Sequence, residues 1–113
     1  MKNRSRIYSL LARAYDVGPF DGGCLIMARA FQHRFGGKIM VLMYRGIAQH
    51  AVVQLPNGHF LDADGEMTPQ KSIENFAANE LKSIDSYREY RPKTDLPDAP
   101  VDMNLSIKIA KLL

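Results

Sequence analysis

"GPFDGGCLIMARAF", residues 18–31, decides how the rest of the chain is read. It holds the only cysteine among 113 residues, Cys24, directly after two glycines and directly before an apolar run. From Cys24 onward, Leu25, Ala28, Phe31 and Phe35 recur at helical spacing. Ile26, Met27 and Ala30 make most of the remaining surface apolar, so the helix is central rather than peripheral. Gly36-Gly37 closes it, as glycine does at helix C-termini. Cys24 therefore heads a central helix. It is either a small buried hydrophobe or an accessible thiolate at the positive end of the helix.

Upstream, Ile7, Leu10, Leu11 and Ala14 fall on one face, giving an amphipathic helix from Asn3 to Tyr15 that ends before Gly18-Pro19. Downstream, "KIMVLMYR" (38–45) is nearly all apolar and reads as a strand buried on both faces. Gly46 turns the chain into a second strand, "HAVVQL" (50–55). Pro56-Asn57-Gly58 turns it again into "HFLDA" (59–63). A three-residue loop there pairs Leu55 with His59 and puts Asp62 and Asp64 on the face of His50. A two-residue loop would put them on the other. Thr68-Pro69 caps and starts a helix carrying Ile73, Phe76, Ala77 and Leu81. "SIDSYREYR" (83–91) alternates like a strand. A loop with Pro92, Pro97 and Pro100 follows, and Asp102 caps a last helix with Leu105, Ile109 and Leu112. The expected order, α-α-β-β-β-α-β-α, belongs to a single domain over 1–113. Its class is α+β, a mostly antiparallel sheet packed against the central cysteine-bearing helix of the N-terminal part.

Composition narrows the function classes. The chain is 46% apolar and 24% charged, with a net charge of +3, which is ordinary for a globular domain. No apolar run approaches the roughly 18 residues of a membrane span, so no membrane role is expected. The arginines among the first fifteen residues interrupt what would be the core of a signal peptide, and one thiol forms no internal disulfide. Both point to the cytoplasm. Lys2, Arg4 and Arg6 make a basic end. With no Trp, and with aromatics that do not interleave with the cations, nucleic-acid binding is not expected.

Three chemistry-bearing residues fall in order: Cys24 at a helix head, His50 at a strand start, and Asp62 at the end of the strand hairpin-paired to it. A thiol near pKa 8.5 attacks carbonyl carbon only as thiolate; a helix N-terminus and a neighbouring imidazolium both favour that form. The histidine then serves as base and acid, and a carboxylate fixes its orientation. Gly22 and Gly23 leave room for substrate backbone near the sulfur, and their amides are read as free for an oxyanion. Asp64 is a second carboxylate at the cleft. It stands directly across from His50 in the expected register, but Asp62 is preferred because Asp64-Gly65 has the form of a turn.

In "GGCLIMARAF" and "HAVVQLPNGHFLDADG", with the buried strand between them, the chain resembles papain-like thiol enzymes. The likeness is greatest to the compact branch that holds the transglutaminase core and the arylamine N-acetyltransferases. The resemblance implies a nucleophile at Cys24, a base at His50 and an orienting carboxylate at Asp62, with no cofactor. It departs from the pattern in two places. No glutamine precedes Cys24 as an oxyanion donor, and Leu25 and Ala51 stand where an aromatic residue often follows the cysteine or histidine.

Two functions from different classes remain. One is a cysteine hydrolase or acyltransferase acting on an amide, thioester or ester, with a protein or acyl-group substrate. The other is a non-catalytic protein-binding module of the same fold, such as a small phage or mobile-element inhibitor. "DADGE" does not make an EF-hand, because aligning Gly65 with the loop glycine puts Phe60 and Lys71 at ligand positions. No metal is expected, since Cys24, His50 and Asp62 lack the close ligand pairs of structural zinc sites. His33 and His59 read as exposed and inert.

Overall fold

The computed structural model describes all of residues 1–113. Its elements are α1 (Arg4–Tyr15), α2 (Cys24–Phe35), β1 (Lys38–Tyr44), β2 (Ile47–Gln54), β3 (Phe60–Asp62), β4 (Gly65–Met67), α3 (Pro69–Glu80), β5 (Ser86–Glu89) and α4 (Met103–Ala110). The class is α+β. One sheet of five strands runs in the order β4-β3-β2-β1-β5, and every neighbouring pair is antiparallel. No helix is long and apolar enough to cross a membrane.

Alternation along the strands explains how the layers assemble. Ile39, Ala51 and Val53 project into a core with Leu25, Ile26, Ala30 and Phe31 of α2, and with Ile7, Leu11 and Ile109 of the flanking helices. Met40, Leu42, Val52 and Phe60 project the other way and pack against Phe76 of α3. The interior strand β1, between β2 and β5, is buried from Ile39 to Met43, as its uninterrupted apolar run requires. α2 buries seven of its twelve residues, which is why it carries little polar surface.

The β2–β3 turn adopts the expected three-residue loop. The Leu55 amide donates to His59 O at 2.8 Å, Gly58 takes φ +88°, and the register continues as Gln54↔Phe60 and Val53↔Leu61. Beyond that point the expectation needs correcting. β3 does not run on through Ala63, because the chain folds back after Asp62 into β4, pairing Asp62 with Gly65. β4 is an additional strand. Its three residues carry no strand-like composition, and only pairing to β3 defines it.

Thr68 caps α3, its side chain accepting the Lys71 amide, and Asp102 caps α4 by accepting the Leu105 amide at 2.9 Å. Asn3 does not cap α1; it sits at φ 57° and donates its side-chain amide to Leu112 O at 2.8 Å. The proline-containing loop after β5 is held by Asp95, a buried carboxylate that accepts both Arg88 guanidinium nitrogens at 2.6 and 2.7 Å. It also accepts the Arg91 amide at 2.7 Å.

Gly37, which joins α2 to β1, has φ +96°, and a Cβ there would drive into Gln54 O and Val53. Gly46 shares a positive φ of +78° but has open space around it. Gly46→Ala should therefore cost about 1 kcal/mol for the left-handed conformation alone. Gly37→Ala should cost at least that much again, because backbone of a central strand would have to move. Urea denaturation of both variants measures the difference, and equal midpoints would contradict this account.

Candidate active site

Cys24 is the first residue of α2, and Gly23 precedes it with no side chain to cap the helix. The thiol therefore sits at the end of the helix where amides lack intrahelical partners. His50 lies in β2, opposite Leu42 of β1, and Asp62 ends β3. The three side chains line one cavity with Pro19, Ala51 and Phe31, and it is too narrow to hold a water molecule. His50 is fully buried, Asp62 is 7% exposed and Cys24 is 4% exposed. Of the two states that the sequence leaves open, a buried residue or an accessible thiolate, Cys24 is found buried.

His50 Nε2 and Asp62 Oδ2 stand 3.0 Å apart, and the Asp64 amide donates to Asp62 Oδ1 at 2.8 Å. Both oxygens of the carboxylate are engaged, so its orientation is fixed. The imidazole is further sandwiched between two phenyl rings. Phe20 stacks on one side at 5.1 Å between centroids, and Phe76 at 4.6 Å. Neither aromatic partner is legible in the sequence as part of a site. Phe76 reads as an ordinary apolar helix position, and Phe20 as a residue in a turn.

The second ring nitrogen, Nδ1, is buried without a partner at hydrogen-bond geometry. Cys24 lines the same cavity, and its thiol is near enough to His50 for each to shift the other's titration. The electrostatics follow. Burial pushes the Cys24 thiol up, but His50, by proximity and by charge, together with the Ala51 and Cys24 amides, outweighs it. The thiol ends below its ordinary value. Burial pushes His50 down, and Asp62 and Cys24 more than reverse that, leaving it at about 9. Each partner thus favours the charged form of the other.

The residues read as oxyanion or cleft positions behave differently. The Gly23 amide donates to Gly18 O at 2.8 Å, so it is not free for an oxyanion. A Cβ at Gly23 would clash with that same carbonyl. Gly22 takes φ +111° and bridges to Gly18. These glycines make room for the chain's own loop rather than for substrate backbone. The amides that face the sulfur are those of Ala51 and Cys24. Asp64 is exposed and turned away from His50, accepting the Asn75 side-chain amide of α3 at 2.7 Å. The fold-back into β4 causes this, because it carries Asp64 out of the register that placed it opposite His50. His33 is exposed, and His59 is partly exposed and paired with Glu66 at 2.8 Å. Nowhere do three or more His, Cys, Asp or Glu side chains gather so as to hold a metal ion.

No family model matches the chain, and neither the curated proteins nor the solved structures yield a match. Next to the closed cavity lies an open, mainly apolar pocket of about 320 Å³. It shares Phe31, Leu61 and Asp62 with the cavity as walls.

Two measurements follow. The rate of iodoacetamide labelling of native Cys24 should reach its plateau at a pH where free cysteine, near 8.5, is still rising. The plateau should change again as pH passes about 9 and the imidazolium loses its proton. In NMR titrations, Asp62→Asn should lower the pKa of His50 and Asp64→Asn should leave it in place. A His50 pKa that responds only to Asp64→Asn would invert the assignment.

Proposed function

We propose that this chain is a papain-like thiol enzyme that cleaves or transfers an acyl group at an amide, thioester or ester. One observation carries the reading: an imidazole oriented by Asp62 stands beside a low-pKa thiol at a helix head, with its other nitrogen left unpartnered. In the proposed reaction, the Cys24 thiolate attacks the substrate carbonyl carbon. The C–S bond forms as the carbonyl π electrons move onto oxygen, next to the Ala51 and Cys24 amides. His50 gives its proton to the leaving group as the intermediate collapses to a thioester. Water, or an acceptor amine, alcohol or thiol, then loses its proton to His50 and attacks the thioester, and Sγ departs as thiolate. No cofactor enters this chemistry. The open pocket past Phe31 and Leu61 suits the apolar portion of an acyl substrate. A thiol kept in this state suits a reducing compartment, and we place the protein in the cytoplasm on that ground.

A specific observation favours a second reading. The thiol is buried in a cavity that admits no water, so segment 17–23, with Pro19 and Phe20, must move before substrate enters. A non-catalytic module that binds a protein partner through its outer surface has no need of such motion. In that reading the buried pair serves stability alone.

Incubation with an activated thioester, followed by intact-mass measurement, separates the two. The enzyme reading expects one acyl adduct on the native chain, none on Cys24→Ala, and slow loss of the adduct in water. The buried Cys24 packs in the core, so Cys24→Ala should cost roughly 1 kcal/mol of stability while remaining folded. No adduct, together with alkylation no faster than that of the transiently unfolded chain, establishes the binding-module reading instead.

A further inference from the structure

The flanking helices α1 and α4 run antiparallel. Their ends are pinned by the Asn3 to Leu112 hydrogen bond at 2.8 Å and by Tyr15 donating to Asp102 at 2.7 Å. Between the pins lies a groove of about 580 Å³. Arg6, Ser9 and Arg13 line it from α1, and Lys108 and Lys111 from α4, with no acidic residue among its walls. The three ion pairs of the molecule all lie elsewhere, so none of these four cations is matched by a carboxylate. Asp102, at the start of α4, is already engaged by the Tyr15 hydroxyl and the Leu105 amide.

Helix stability explains part of this arrangement. Lys108 and Arg13 sit in the last turns of their helices, where cations favour the dipole. Arg6 does not fit that explanation. It occupies the first turn of α1, at the positive end, in a helix with no acidic residue there and no side-chain cap. Its charge works against its own helix and adds to the repulsion across the groove. Four unmatched cations and two serine hydroxyls, those of Ser5 and Ser9, in one concavity are relieved by an anion.

The dimensions and composition of the groove select among anions. Arg6 and Arg13 lie seven residues apart, about 10 Å along the helix, more than one phosphate group spans. No aromatic side chain lines the groove, so nothing there stacks on a nucleobase. Its concave form between two helices suits a short chain better than a duplex or a flat membrane. We infer that the α1–α4 groove binds a short linear polyphosphate, either free or as the tail of a nucleoside triphosphate. This inference stands independently of the thiol chemistry.

Isothermal titration of the full chain tests it. Tripolyphosphate should bind saturably at one site, and orthophosphate much more weakly. Adenosine triphosphate should match tripolyphosphate if only the phosphate tail is read, and exceed it if the nucleoside is the natural source. Added salt should weaken every case. Arg6→Gln combined with Lys111→Gln should reduce affinity by about tenfold or more, both substitutions being at exposed positions. Lys71→Gln combined with Lys82→Gln, exposed cations outside the groove, should leave it unchanged. The proposal is overturned if the unaltered chain shows no saturable binding, or if both variant pairs lose affinity equally. It is also overturned if a single-stranded oligonucleotide or phosphatidylserine vesicles bind more tightly than tripolyphosphate through the same residues.

Discussion

A histidine that favours its charged form, held where water does not reach, is the constraint on which the surrounding structure depends. An ionised group taken out of water must be compensated by charge and hydrogen bonds, or it neutralises. Asp62 supplies one side of that compensation, and its own second oxygen is satisfied by the Asp64 amide. This ties the sharp fold-back after β3 directly to the site. The faces of the ring are covered by Phe20 and Phe76, one from the loop before the cysteine helix and one from α3. Aromatic faces attract a cation, so these contacts stabilise the charged form while they exclude solvent. Loop, hairpin and helix thus converge on a single imidazole. Losing the carboxylate would lower the pKa of the imidazole and favour its neutral form.

Much of the architecture was legible because it rests on local chemistry. The helical spacing from Leu25 to Phe35, the apolar run of β1, Thr68-Pro69 and Asp102 each announce an element within a few residues. Pro56-Asn57-Gly58 went further. By selecting a three-residue loop it set the β2–β3 register, and with it the approach of Asp62 to His50. What escaped depends on contacts between distant residues. β4 exists only through its pairing with β3, and Asp64 was drawn to α3 by asparagines that carry no signal of that role. The double glycine before Cys24 was read as space for a substrate. It is space for the loop itself, because the carbonyl of Gly18 fills it. The same loop explains why the thiol is buried rather than accessible. Asp95 was missed for a similar reason. A carboxylate in a proline-containing stretch looks like a solvated turn until Arg88 is seen to grip it with both guanidinium nitrogens.

The two helical layers divide the work differently. α3 covers one face of the sheet and supplies an aromatic wall to the buried pair. α2 covers the other and contributes the sulfur, so the pair forms where the two cores meet at the start of α2. α1 and α4 share a core with α2 through Ile7, Leu11, Ile109 and Ala110, and supply no wall of the cavity that holds the pair. Their exposed faces carry cations without cost to the core.

The loop that seals Cys24 has a further consequence for the lifetime of the thiol. A cysteine with a depressed pKa is the form most readily oxidised, first to a sulfenic acid and then irreversibly. Rescue at the first stage commonly comes from a second cysteine that condenses with the oxidised sulfur, and this chain has none. Behind Pro19 and Phe20, peroxide meets the sulfur only in the fraction of time that the loop is open. The closed state therefore shields a sulfur that has no internal repair partner, and slower access is the counterpart of that durability.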